Sequence, residues 1–171
     1  MATTLSGNLS ILSNIDHAGS SDLSTLTDKI AGMIQTWTIT NGTGANQADL
    51  MWHDQRTLAA STSEDLDLSG PLTDAFGEAA SFARVKAIIV ASATTNGALI
   101  QVGGAAGNQF LNWVADATDI IQVRPGGFMM LVAPDATAYA VTAATGDLLK
   151  INNSDAAASA TYDIYIIGAS A

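Results

Sequence analysis

The sequence predicts an all-β protein, an antiparallel β-sandwich or barrel with an extended N-terminal arm. Short β-rich runs between residues 120 and 168 alternate in polarity with a period near two, and turn motifs such as Pro125-Gly126-Gly127 separate them. All but Glu64 and Glu78 of the 16 acidic residues are aspartates, which favour turns over helix interiors. A chain of 171 residues without cysteine is long enough to bury a core without disulfide crosslinks.

The N-terminal unit of this prediction covers residues 1–40. Residues 1–20 have the composition of an extended arm or an edge strand, with Leu5, Leu9 and Ile11 set among Ser, Gly and Asn. Between residues 21 and 37 the apolar residues fall at helical spacing, whereas Gly32 and a β-branched stretch after it favour a strand. We predict a short helix followed by a strand, and the pattern leaves the choice between helix and strand over 21–37 open.

Residues 41–171 are predicted to form the sandwich domain. Asn41-Gly42-Thr43-Gly44 is a turn signal, and residues 71–77 indicate a further turn or one helical turn. Residues 48–58 form a segment of mixed polar and apolar residues. Apolar runs bounded by Gly, Pro, Asn or Asp predict the strands, which cover residues 64–68, 84–91, 99–102, 110–114 (with Trp113), 120–124, 128–133, 147–151 and 161–168. In the first of these, aspartates and leucines are expected on opposite faces.

Charge and composition exclude two classes of partner. The formal net charge is −10, and the six basic residues are scattered, so the clustered Lys and Arg that bind a phosphate backbone are absent from the sequence. No run approaches the roughly 20 apolar residues of a membrane span, and no secretory signal is predicted. We therefore expect a protein that is made in the cytoplasm and binds neither nucleic acid nor membrane.

The charged fraction of 13% is about half that of an average globular domain. A surface so poor in charge is suited to contact with other proteins. The alternative is a surface of small residues that is kept soluble by its net negative charge.

No set of residues in the sequence predicts catalysis, a cofactor or a metal. His53 is followed by Asp54, and neighbours in a strand point to opposite faces, so this Asp is not expected to orient the imidazole. No serine lies in a Gly-x-Ser-x-Gly elbow. Asp65-x-Asp67 and Asp116-x-x-Asp119 lack the remaining ligands of a calcium loop, so we interpret them as solvated strand and turn acids.

Tryptophans and the arm supply the candidate binding residues. With only 6% aromatic residues, we expect Trp37, Trp52 and Trp113 to serve in the core or in subunit contacts. The predicted partner interface consists of five residues: Leu5, Leu9, Ile11, Trp37 and Trp52. A sugar-stacking platform on the tryptophans is the alternative.

Several motifs resemble a pattern found in small virion proteins of tailed bacteriophages. They include Thr40-Asn41-Gly42-Thr43-Gly44-Ala45-Asn46-Gln47-Ala48-Asp49, Asp54-Gln55-Arg56-Thr57-Leu58, Thr73-Asp74-Ala75-Phe76-Gly77, Val85-Lys86-Ala87-Ile88, Val123-Arg124-Pro125-Gly126-Gly127, Ala133-Pro134-Asp135-Ala136 and Tyr162-Asp163-Ile164. The similarity covers roughly residues 40–168. These motifs mark turns and strands and do not mark an active site.

The resemblance implies a jelly-roll-like antiparallel β-sandwich that serves as a non-enzymatic capsid decoration or cement protein on the outer surface of the head. It further implies two partners, the major capsid protein and other copies of this chain in a homotrimer. Such a protein is expected to lay its N-terminal arm over the shell as an added strand. The alternative is a tail, collar or head-surface module that binds host glycans.

Overall fold

The computed structural model describes residues 4–70 and 72–171. The described residues form strands and connecting loops without a helix, which confirms the all-β prediction. In chain order the strands are β1 (Gly7–Ser21), β2 (Ser24–Asn41), β3 (Gln47–Ala48), β4 (Leu50–Leu58), β5 (Ser63–Asp67), β6 (Arg84–Ser92), β7 (Ile100–Gly103), β8 (Ile120–Val123), β9 (Phe128–Val132), β10 (Tyr139–Ala140), β11 (Leu148–Asn153) and β12 (Ala160–Ala169).

Two antiparallel sheets pack face to face as a β-sandwich. In one sheet β12 lies between β4 and β6, and the free edge of β6 pairs with both β9 and β10. The other sheet has the order β5-β11-β7-β8. Alternate residues of both sheets form one core, for example Ile88, Ile164 and Ile166 from the first and Val102 and Ile151 from the second. The predicted alternation is therefore observed, while the jelly-roll connectivity and the division at residue 40 stay predictions.

Both sides of the sandwich are closed by short connections between the sheets. On one side β4 leads directly into β5, and on the other β8 leads into β9. The second connection is the predicted turn: Gly126 has φ +73°, and the Gly127 N–H donates to the Arg124 carbonyl at 2.8 Å. Proline followed by a glycine with positive φ is the pairing that a type II turn requires.

A polar cluster joins β4 to β5 across the first of these edges. The Arg56 guanidinium donates to the Glu64 carboxylate from Nε at 2.7 Å, and its Nη2 lies 2.5 Å from the same oxygen. The other carboxylate oxygen accepts from the buried Tyr162 hydroxyl at 2.6 Å. Burial and the neighbouring carboxylate raise the pKa of Tyr162 well above its usual value of about 10.

Tyr162→Phe is expected to flatten the loss of stability at alkaline pH. Tyr162 is protonated in the folded protein at pH values where an unfolded tyrosine ionises, so its contribution is complete below about pH 10 and declines above it. At neutral pH the variant loses about 1–2 kcal/mol because Glu64 loses a hydrogen bond. Urea unfolding at pH 7 and at about pH 11 measures both effects.

The exposed Tyr165 provides the matched control for this experiment. Tyr165→Phe removes the same hydroxyl outside the cluster and is expected to change the neutral-pH stability by less than about 0.5 kcal/mol. Equal alkaline slopes for wild type and Tyr162→Phe would refute the assignment.

The N-terminal residues form a long two-stranded ribbon, made of β1 and β2. The two strands pair antiparallel from Gly7–Ile39 to Ser21–Ser24, and β3 adds a short parallel pairing beside β2. The arm is therefore extended and forms an edge strand, as predicted, but its partner is β2 of the same chain. The other edge of β1 pairs with no strand of the described residues, so the addition of this arm to the shell as a strand stays a prediction.

The helix predicted within residues 21–37 is wrong, since these residues lie in the ribbon and most of them in β2. A β-bulge explains the misleading spacing. The ladder pairs Ser13 with Met33 and Asn14 with Ala31, so Gly32, at φ +75°, has no partner opposite. An inserted residue reverses the alternation of faces, and apolar residues of one face then follow each other at spacings of four and seven.

The short strand predicted over 110–114 is also wrong. Phe110 is buried in the core, but turns follow it, and the indole N–H of Trp113 donates to the Phe110 carbonyl at 2.9 Å. The preceding residue, Gln109, makes an isolated bridge to Leu148. The local side-chain bond fixes a turn where composition favoured a strand.

Candidate interaction surface

The ribbon has one apolar face, which the register defines. Directly opposed residues lie on the same face, so the pairs Leu9–Trp37, Ile11–Gln35, Ile15–Ile30 and Gly19–Leu26 share one side. The bulge at Gly32 makes this possible, because without it Ile30 and Leu26 would point away from the Trp37 side. The opposite face is mainly polar, with pairs such as Ser10–Thr36 and Asp16–Lys29.

At its base, residues 7–10 and 36–41, the ribbon packs on the outer face of the β4–β12–β6 sheet. Trp37 and Ile39 form a second buried cluster with Ala87 and Ile167. Leu5, Leu9 and Val132 pack around it. The apolar face of the ribbon thus has a defined partner within the chain over its first few residue pairs.

Beyond the base, the aliphatic side chains that the structure describes on this face are uncovered. We call residues 11–35 the distal ribbon. Every described side chain from residue 14 to residue 30 is exposed, among them Ile15 at 54% and Leu23, at the turn, at 98%. Polar and apolar residues alternate in the distal ribbon as in a strand that covers a core, yet its large aliphatic side chains are exposed.

A second uncovered apolar surface lies on the outer face of the sandwich, beside the ribbon base. Its residues form cross-strand rows: Tyr165 pairs with His53 and with Ile89, and Ile89 pairs with Met130. Phe128, in the next row, is 66% exposed. We call these five residues the outer patch. It directly continues the row of Ala87, Ile167 and Val132 that the ribbon base covers.

Two open crevices flank the ribbon base. One, of about 340 Å³, lies between the ribbon and β9 and is lined by Leu9, Ile11, Trp37, Met130 and Val132 among others. The other, of about 220 Å³, lies on the β4 side and includes Met51 and Tyr165. The outer patch is therefore reached from both sides of the ribbon base.

The five predicted interface residues divide between this region and the core. Leu5 and Leu9 pack at the ribbon base, and Ile11, which is exposed, begins the distal ribbon. Trp37 is only 7% exposed beneath the base, and its Nε1 has no hydrogen-bond partner among the described residues. Trp52, at 4% exposure, packs between the two sheets, so we leave it out of the surface.

The sequence reasoning missed most of the surface. Ile15, Leu26 and Ile30 were assigned to the arm or to a helix, and Phe128 and Met130 to an ordinary strand. The available signal was the bulge: a glycine at position 32 separates two alternating segments of opposite parity.

The histidine and aspartate motifs lie where the sequence placed them. His53 stacks on Tyr165 with ring centroids 5.9 Å apart, while Asp54 accepts from Arg56 at 2.9 Å on the other face of β4. The Asp116 carboxylate accepts from the Thr118 N–H and hydroxyl, and these bonds lower its pKa. Within the ranges that the structure describes, no three His, Cys, Asp or Glu side chains are grouped as a metal site.

One charged side chain is fully buried. Lys86 Nζ donates to the Gly44 carbonyl at 3.0 Å and to the Asp135 carbonyl. Desolvation lowers its pKa. These two bonds tie the turn that follows β2 to the loop that follows β9, so Lys86 supports the ribbon base.

No family model, curated protein or solved structure matches this chain. Among the described residues there is also no helix of the length and apolarity that crossing a membrane would need.

Proposed function

We propose that the chain is a non-enzymatic structural protein of the virion of a tailed phage, a capsid decoration or cement protein. It binds the outer head shell, where its partner is the major capsid protein, and it does so as a homotrimer made in the host cytoplasm. The observation that carries the proposal is the distal ribbon, which holds an uncovered apolar face away from a folded sandwich. Such a segment gains stability only in an assembly.

The resemblance to virion proteins points to a phage head as the assembly, and the geometry of the chain suits binding to such a shell. A shell lattice repeats the same crevice many times, so a rigid domain that is itself oligomeric binds several sites at once and gains avidity. The sandwich provides the rigid body because its two edges are closed by the β4–β5 and β8–β9 connections. The low content of charged residues favours protein contact over solvation.

The ribbon tip is the part of the ribbon best placed to reach the shell. From Ile11 to Ser21 the strand extends about 35 Å at roughly 3.3 Å per residue. Leu23 lies in the turn at the end and is almost completely exposed. An apolar side chain at the end of a long ribbon is suited to insertion between neighbouring capsid subunits.

Co-sedimentation tests this proposal. Purified protein is mixed with mature heads of the encoding phage that lack it, and the bound copies per head are counted. We expect binding that saturates at a multiple of the lattice symmetry. Leu23→Ser is expected to weaken binding at least about tenfold, because an apolar anchor is lost. Leu111→Ser, at an exposed leucine outside the ribbon, is the matched control and is expected to bind normally.

Absence of binding to mature heads would refute the cement proposal. Full binding by Leu23→Ser would show that the ribbon tip does not contribute to head binding.

A further inference from the structure

We propose that the apolar face of the distal ribbon of one copy packs on the outer patch of a neighbouring copy, so that the chain assembles by ribbon exchange while Leu23, in the turn, stays free for the shell. This inference rests on the proposed function because it assumes that the chain forms an oligomer. It adds which two surfaces of neighbouring copies are in contact. The occupant of both uncovered surfaces is a second copy of this chain.

The ribbon base shows how the contact is made. There, Leu9 and Trp37 of the apolar face pack on Ala87 and Ile167 of the sheet. Farther along the ribbon the same face presents aliphatic side chains, and the next rows of the same sheet present the outer patch. Within a copy only the first rows of the ribbon face and of the sheet face meet, so the aliphatic residues farther along the ribbon and the outer patch are both left uncovered.

The charge distribution agrees with this pairing. Copies with a net charge of −10 repel each other, so a contact between them requires surfaces low in charge. On the apolar face of the distal ribbon the charged position is Asp28, opposite His17, whereas the Asp16–Lys29 ion pair, at 3.5 Å, lies on the other face. In the outer patch, His53 is stacked on Tyr165, and Asp163 in the next row accepts from Gln55 at 2.8 Å.

The area favours exchange over a one-sided contact. A ribbon about 35 Å long and about 10 Å wide offers roughly 350 Å² of one face. In a closed ring every copy gives one ribbon and receives another, so each buries roughly 700 Å² in all. This is about 350 Å² against each neighbour in a trimer and about 700 Å² against a single partner in a dimer, where stable complexes bury roughly 800 Å² per partner. A one-sided contact would bury half of this per copy and leave either a ribbon or a patch exposed.

Charge insertion on the two surfaces, followed by light scattering and sedimentation of the full-length chain, tests the proposal without heads. We expect the wild type to be a closed oligomer. Ile15→Asp and Phe128→Asp are each expected to raise the dissociation constant at least about tenfold, since either one buries an unpaired charge in the contact. Asn14→Asp adds the same charge one residue away, on the polar face, and is expected to remain oligomeric.

Crosslinking then identifies which surfaces meet. The chain has no cysteine, so Ile15→Cys and Phe128→Cys form disulfides without background. Under exchange, mixing the two variants is expected to give the mixed dimer in excess of either homodimer. Monomeric wild type, an oligomer that tolerates Ile15→Asp, or one that tolerates Phe128→Asp would each overturn ribbon exchange. Head binding by a monomeric wild type would do so while leaving the cement function intact.

Discussion

Trp52→Ala is expected to lower the free energy of unfolding by about 3–5 kcal/mol. The indole lies between the two sheets at 4% exposure, on the core face of β4, where it packs with residues such as Ile166 and Leu66. Removing it leaves a cavity that close-packed strands on both sides cannot fill by a small shift. Equilibrium urea unfolding monitored by circular dichroism measures the loss.

Trp113→Ala is the comparison that separates core packing from general loss of an aromatic ring. Trp113 is only half-buried and packs at the margin of the same core, so we expect a loss of about 1–2 kcal/mol. Near-equal losses for the two variants would mean that Trp52 is not a central core residue. A glycan bound on Trp52 is incompatible with its position between the sheets.

The sandwich itself was predictable because its signals are local. The strand predicted over residues 84–91 is β6, in which most residues are buried. In β11, buried and half-buried residues alternate strictly. The turn at Pro125-Gly126-Gly127 is recognisable because Pro followed by Gly is favoured in only a few turn conformations. Where the alternation of polar and apolar residues and the turn residues agree in this way, the sequence determines a strand without knowledge of the neighbouring strands.

The ribbon was not predictable in the same way. Its apolar residues change parity at Gly32, and a pattern that contains a bulge imitates the spacing of a helix over a dozen residues. Leu26 and Ile30 are four residues apart and Trp37 follows seven residues later, which fits a helix turn as well as a bulged strand. Only the pairing with β1, a contact that the pattern of β2 alone does not reveal, distinguishes the two.

The candidate surface was predictable only in part, for a related reason. Leu5, Leu9 and Ile11 were recognised because they are apolar residues in a polar arm. Phe128 and Met130 are also apolar residues in a strand, and the sequence does not show which face of that strand lies against the second sheet. Phe128 is exposed and Met130 half-buried because they lie on the outer face of β9, beyond Val132, where the ribbon base ends its contact with that face.

Lys86→Ala is expected to destabilise the protein by about 2–4 kcal/mol and to loosen the ribbon base. The substitution removes a buried aliphatic stem and leaves the carbonyls of Gly44 and Asp135 without their donor. The Gly44 carbonyl belongs to the turn between β2 and β3, and the neighbouring Asn46 N–H donates to the Pro134 carbonyl at 2.7 Å. Urea unfolding measures the stability, and amide exchange in residues 36–48 measures the loosening.

Lys86→Met keeps most of the stem and removes the charge, so it separates packing from the hydrogen bonds. We expect a smaller loss, about 1–2 kcal/mol at neutral pH, because the methionine also removes the desolvation penalty of a buried ammonium group. If Lys86→Met were less stable than Lys86→Ala, packing of the aliphatic stem would not account for the difference between the two variants.

The pH dependence of that difference tests the lysine directly. Because burial lowers the pKa of Lys86 in the folded protein, the unfolded chain binds the proton more tightly. The wild type therefore gains stability as the pH rises through that lowered pKa towards about 10.4, the value in the unfolded chain. Lys86→Met lacks this gain, so the gap between the two proteins is expected to widen over that interval. Tyr162 is present in both, and its alkaline effect cancels in the comparison. A gap that stays constant with pH would show that burial does not disfavour the charged form of Lys86 in the folded protein.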